Sequence, residues 1–164
     1  MAQPILMWVY VLIILNNFTI PDENFQISYE IHRDRKHIYE SKAIFNLAYV
    51  KAKKNDVKAA LELYQEGQMV AARHNNQEVT EKLKLVKGLY LSFDLQTLRE
   101  VFKFFKDKNL YGDMEEYAVA VADFLTTKED RHDAVDFYQM AIEARKQIQR
   151  GKHLNEKNVK LQFV

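Results

Sequence analysis

The sequence predicts an all-α chain of paired antiparallel helices, and three observations carry that expectation. From Asp22 onward, apolar residues recur with helical period and show no strand-like alternation. The 164 residues include only four Gly and two Pro. That is too few to punctuate a sandwich or barrel, which turns about every 8–12 residues. The third observation is an internal repeat. DVKAALELYQEG (Asp56–Gly67), DLQTLREVFKFF (Asp94–Phe105) and DRHDAVDFYQMA (Asp130–Ala141) align without gaps, and their starts lie 38 and 36 residues apart.

Each repeat reads as a helix–turn–helix unit. Asp56, Asp94 and Asp130 suit an N-cap, where a carboxylate accepts an otherwise unpaired backbone N–H. Ala60, Leu98 and Ala134 follow four residues on, then Tyr64, Phe102 and Tyr138 after four more. A small residue lets two helices approach, and an aromatic one turn later fills the space beside it. Ala48, Val86 and Ala122, eight residues before each Asp, fall on a preceding helix. The spacing predicts first helices at 41–54, 78–91 and 114–127, and second helices at 57–73, 95–107 and 131–149. Residues 23–40 read as a further second helix, with Phe25 and Tyr29 on one face.

Composition narrows the function classes. The net charge of +1 argues against a generally basic nucleic-acid binder. Zero Cys excludes disulfides, thiolate metal sites and a cysteine nucleophile. No glycine-rich phosphate loop or G-x-S-x-G elbow occurs. The five histidines show no i,i+4 pairing with a nearby carboxylate of the kind a metal-binding helix uses, so neither metal nor cofactor is expected. In VFKFFKDKNLY (Val101–Tyr111), lysines alternate with aromatics, which reads as a helix with its lysines outward rather than as a nucleic-acid surface.

The N-terminus stands apart. Pro4–Leu15 is apolar save for the Tyr10 hydroxyl, yet it falls short of the about 20 residues that span a bilayer. A signal peptide would also need a basic start and a small-residue cleavage site. A signal or anchor, a buried helix or strand of the fold, and a replacement for a lost segment are the three readings. No stable membrane anchor is expected. The organisation is an atypical segment at 1–21, a repeat domain at 22–151 and a polar tail at 152–164.

The repeats resemble the tetratricopeptide repeat, with roughly three and a half units forming an α-solenoid. The wording of KAIFNLAYVKAKKNDVKAALELYQEG, LKLVKGLYLSFD and DAVDFYQMAIEARKQIQRG is similar to the C-terminal part of the Rap family. These are response-regulator aspartate phosphatases of Bacillus and relatives, controlled by signalling peptides. The resemblance implies a cytoplasmic peptide- or protein-binding module whose partner is a short signalling peptide or a response-regulator protein. The family's N-terminal three-helix bundle and its glutamine have no recognisable counterpart here, so no catalytic residue is expected; neither Gln3 nor Gln26 sits in such a motif. An active phosphatase regulating sporulation or competence, and a non-functional truncated remnant, are the alternatives.

A repeat array presents its first helices to a concave face. That places Lys42, Phe45, Asn46, Tyr49, Ala52 and Lys53 in the binding groove from the first repeat, Thr80, Leu83, Lys84, Lys87, Tyr90 and Leu91 from the second, and Glu116, Val119, Ala120, Asp123, Thr126 and Thr127 from the third. Asn46 in FNLA occupies the place where the peptide-regulated family grips its ligand. An Asn amide both donates to and accepts from a peptide backbone. The lysines would attract an acidic group, and Glu116 and Asp123 a basic one.

Overall fold

A computed structural model of the chain describes the backbone of residues 22–34 and 39–161, with side chains at 24, 26–31 and 39–151. The apolar Pro4–Leu15 segment, Gln3, and the side chains of Phe25, His32, His37 and His153 lie outside the described residues. Among the described residues there is no strand. Seven helices follow one another among these described residues: α1 Asp22–Asp34, α2 Glu40–Lys53, α3 Val57–Arg73, α4 Gln77–Val86, α5 Leu95–Asp107, α6 Tyr111–Thr127 and α7 Arg131–Leu161. A π-helical turn, Lys87–Leu91, continues α4.

The helix boundaries follow from local chemistry. Asp56 accepts from Ala59 N at 3.3 Å, and Asp130 from Asp133 N at 3.3 Å. Asp94 accepts from the backbone N–H groups of Gln96 and Thr97 at 3.1 and 3.2 Å, and from the Thr97 hydroxyl at 2.6 Å. Led by that hydroxyl, these bonds hold the Asp94 carboxyl below its ordinary pKa. Asn76 caps α4 in the same way through Val79 N at 3.2 Å. Four helices end on a residue with positive φ: Asn55 (63°), Asn75 (49°), Asn109 (56°) and Glu129 (63°). In each case the next backbone N–H reaches five residues back, as from Asp56 to Lys51 at 2.9 Å and from Asn76 to Ala71 at 2.8 Å. This closing bond satisfies a carbonyl the helix end would leave open. Asn tolerates the left-handed conformation better than most residues.

Two boundaries depart from the sequence reading. The first helix of the second repeat does not run as α-helix to residue 91, because the chain widens into the π-turn. There Ser92 N donates to Lys87 O and Asp94 N to Gly88 O, both at 2.9 Å. The last helix continues past residue 149, through Gly151 to Leu161. One helical Gly costs only about 1 kcal/mol, and no Pro follows to stop the helix.

The described residues form two compact units, divided between Val101 and Phe102. In the first, Tyr29, Ala43, Ile44, Leu47 and Val70 make a core cluster, with Val50 and Leu63 against it. The repeat positions Ala48, Ala60, Val86 and Leu98 are fully buried. The Tyr29 hydroxyl donates to Glu66 at 2.8 Å, tying α1 to α3. Gly67 marks the tightest approach: a Cβ there would lie 2.8 Å from Leu83 Cδ1 and 3.1 Å from Ile44 Cγ2. Gly67→Val should therefore destabilise the chain by about 1–3 kcal/mol through overpacking, although it removes a helix-weakening Gly. A urea unfolding midpoint equal to or above wild type would show that the contact has room.

In the second unit α6 packs along α7. Ala122 and Phe105 are fully buried, and Ala134 and Ala141 nearly so. Phe102 meets Phe137 edge-on at 5.2 Å between ring centroids and Phe105 at 5.7 Å. Lys103 and Lys106 of the lysine-aromatic segment are exposed, with Lys106 Nζ 3.2 Å from Glu143.

Candidate functional site

The candidate site of the first unit lies on α2, α4 and the π-turn. Helical spacing puts Asn46, Tyr49 and Lys53 on one stripe of α2. The Phe45 ring is buried and stacks on Tyr49 at 6.1 Å. Tyr49 in turn meets Tyr90 of the π-turn edge-on at 5.9 Å. Asn46 keeps only 9% of its surface exposed, and its amide makes no hydrogen bond to another described residue. Among the described residues the side-chain polar atoms sealed from solvent without a partner are Glu40 Oε2 and His74 Nε2, not those of Asn46, so a peptide backbone could engage the Asn46 amide by replacing its solvent contact.

Charge frames the aromatic stripe. Lys82 is buried, 2.9 Å from Glu78, and its ammonium stands 5.9 Å from the Phe45 ring centroid. Burial alone would raise the Glu78 carboxyl, but the Lys82 hydrogen bond and charge, with Lys42 behind them, outweigh it and hold the pKa below its ordinary value. Lys53 lies over Tyr49 at 5.6 Å, and Lys87 over Tyr64 of α3 at 5.7 Å.

The structure sorts the residues expected in a groove. Phe45, Asn46 and Tyr49 come together, with Lys42 exposed beside them and acting electrostatically on Glu78. Lys84 is exposed and bound to Glu81 at 2.8 Å. Lys87 is exposed, with its ammonium at Tyr64. Leu83 was expected in the groove but is fully buried, against the place where Gly67 leaves room. In the second unit Glu116 is half-buried, and exposed Asp123 accepts from the Tyr138 hydroxyl at 2.6 Å. That bond raises the Tyr138 phenol above its ordinary pKa.

The sequence reading missed Lys82, an apparent surface lysine whose only signal was its i,i+4 relation to Glu78. It also passed over His132 and Asp136, which are i,i+4. With Asp133, they bring ligand-type atoms within 4.8 Å of one another. His132 is 90% exposed in its side chain and stands 3.8 Å from Asp133. Among the described residues no helix is long and apolar enough to cross a membrane.

The fold and site define a helical repeat module of the tetratricopeptide type. No family model matches the sequence. Among curated proteins the chain is homologous to the Rap response-regulator aspartate phosphatases of Bacillus subtilis strain 168. It is 27% identical to response regulator aspartate phosphatase I over 143 residues, 87% of this chain and 37% of that protein. Identity to response regulator aspartate phosphatase A is 30% over 115 residues, 70% of this chain and 30% of that protein. The chain thus spans about a third of the length of these curated relatives. Among solved structures, the apo form of RapI superposes with a TM-score of 0.77 at 26% identity, covering 83% of this chain and 50% of that one. Two further Rap structures share the fold. The Rap protein complexed with competence and sporulation factor has a TM-score of 0.78 at 24% identity, covering 83% of this chain and 38% of that one. The Rap conjugation gene regulator of plasmid pLS20, in complex with the Phr* peptide, has a TM-score of 0.76 at 20% identity, covering 82% and 37%.

Proposed function

We propose that this chain is a cytoplasmic peptide-binding module whose ligand, a short signalling peptide, lies along α2 against Asn46, Tyr49 and Tyr90. The observation that carries the reading is the stripe of α2 on which Asn46 stands one turn from Tyr49, itself edge-on to Tyr90, with the Asn46 amide not sealed from solvent. A peptide backbone offers such an amide both a donor and an acceptor. The Rap relatives, two of them solved with such ligands, support the same reading. The test is a titration of labelled five- to six-residue peptides against the full chain. Saturable binding is the expected result, and none with any peptide would remove the module from the receptors.

The names of the homologues favour a second reading, an active response-regulator aspartate phosphatase acting in sporulation or competence signalling. The module proposed here has no phosphatase chemistry of its own. A phosphorylated receiver domain should lose phosphate at its own rate when the chain is added. A faster loss would establish the second reading in place of the first.

A further inference from the structure

We propose that the apolar segment Pro4–Leu15, which lies outside the described residues, docks on the outer side of α1 over Ile27 and Ile31. The sequence of α1 calls for a partner on both sides. Tyr29 faces the core of the first unit with 7% of its surface exposed, and Ser28 beside it is buried. Each residue of an α-helix turns the chain by about 100°, so Ile27 and Ile31, one turn apart, stand on the side opposite Tyr29. They are 53% and 38% exposed. Gln26 and Glu30, joined at 3.1 Å, form a polar edge between the two sides. A helix that is apolar on opposite sides packs in two directions. The inner side of α1 meets α2, and Tyr29 reaches Glu66 of α3.

The occupant is set by distance, length and composition. Six residues, Asn16–Pro21, separate the segment from α1, within the range of about 2–8 for helix–helix connections. Asn16, Asn17 and Pro21 suit a reversal of the chain. In helical form the segment's twelve residues would span about 18 Å, against about 20 Å for the thirteen of α1. A tether this short holds the segment beside α1 at an effective concentration of about 1 mM, which favours it over a second copy of the chain. A lipid surface fits less well. Residues 1–21 carry no charged side chain, whereas a helix lying in a membrane interface has a charged face.

Trp8 is the one tryptophan of the chain and belongs to the segment, so its fluorescence reads the segment's surroundings directly. In the full chain without lipid, its emission should be blue-shifted and several-fold less quenched by acrylamide than in the urea-unfolded chain, equally at low and high protein concentration. Ile27→Glu/Ile31→Glu changes two exposed side chains and should raise quenching to the unfolded level while helical circular dichroism is retained. A nitroxide on Glu30→Cys, in a chain with no other cysteine, should quench Trp8 in the folded protein and lose that effect in urea, a reading independent of the double variant. Four results would each overturn the proposal: Trp8 quenched as freely as in urea, shielding that survives the double variant, shielding that grows with protein concentration as for a second copy, or shielding that arises only with anionic vesicles as for a membrane anchor.

Discussion

Phe137→Ala should cost the second unit about 3–5 kcal/mol of stability, the range for emptying a fully buried aromatic site. Phe137 has no exposed surface, and its ring meets Phe102 at 5.2 Å and 69°. Phe102 meets Phe105 at 5.7 Å and 78°, and Phe105 lies 6.2 Å from Tyr117. Edge-to-face pairs of this kind add about 0.5–1.5 kcal/mol beyond the area they bury. The cavity left at Phe137 would be walled by large, stiff rings that cannot collapse into it. Since a domain's whole stability is about 5–15 kcal/mol, the variant should approach unfolding at ambient temperature. Neighbouring Tyr138 supplies the control. It is 37% exposed and linked to Asp123 through its hydroxyl, so Tyr138→Phe should shift stability by less than about 1 kcal/mol. Urea unfolding followed by circular dichroism separates the two, and equal midpoints would show that the aromatic cluster is not the centre of this unit.

Asn46→Ala should weaken peptide binding about tenfold to a hundredfold, because a backbone donor and acceptor lose their partner in a partly desolvated site, a penalty of about 1–3 kcal/mol. The same change should leave the free protein as stable as before or more so. Ala is the better helix former, and the Asn46 amide is not one of the sealed, unpartnered polar atoms, so its removal opens no unmet demand in the core. Binding and stability moving in opposite directions would distinguish a ligand-gripping residue from a structural one. Parallel losses in both, measured by peptide titration and thermal unfolding, would reassign Asn46 to the fold.

The helix pairs were legible in the sequence because their determinants are local. A capping Asp, a small residue four positions on and an aromatic one turn beyond act within a single helix and its nearest neighbour. Ala60, Leu98 and Ala134 are buried where that spacing puts them. The stripe of Phe45, Asn46 and Tyr49 was legible for the same reason, since three residues on one helix keep their relation whatever surrounds them. Lys82 was not, because its burial depends on Phe45, 37 positions earlier in the chain, and no local rule sends a lysine inward. Leu83 was misplaced by assigning one face to every first helix, whereas Gly67 draws that side chain into the core. Tyr90 belonged to the expected groove, but its meeting with Tyr49 comes through a turn of π geometry that helical periodicity does not describe.

That wide turn makes the aromatic pair sensitive to chain length. A π-turn is an α-helix with one residue too many, and each residue of an α-helix advances the chain by about 100°. Removing a single residue between Lys87 and Leu91 would let the helix close into regular geometry while whatever follows keeps its place. Position 90 would then present a neighbour's side chain to Tyr49. Insertions and deletions of one codon at this place, rather than substitutions, are thus a short route by which such a module exchanges one recognition surface for another while its helices keep their packing.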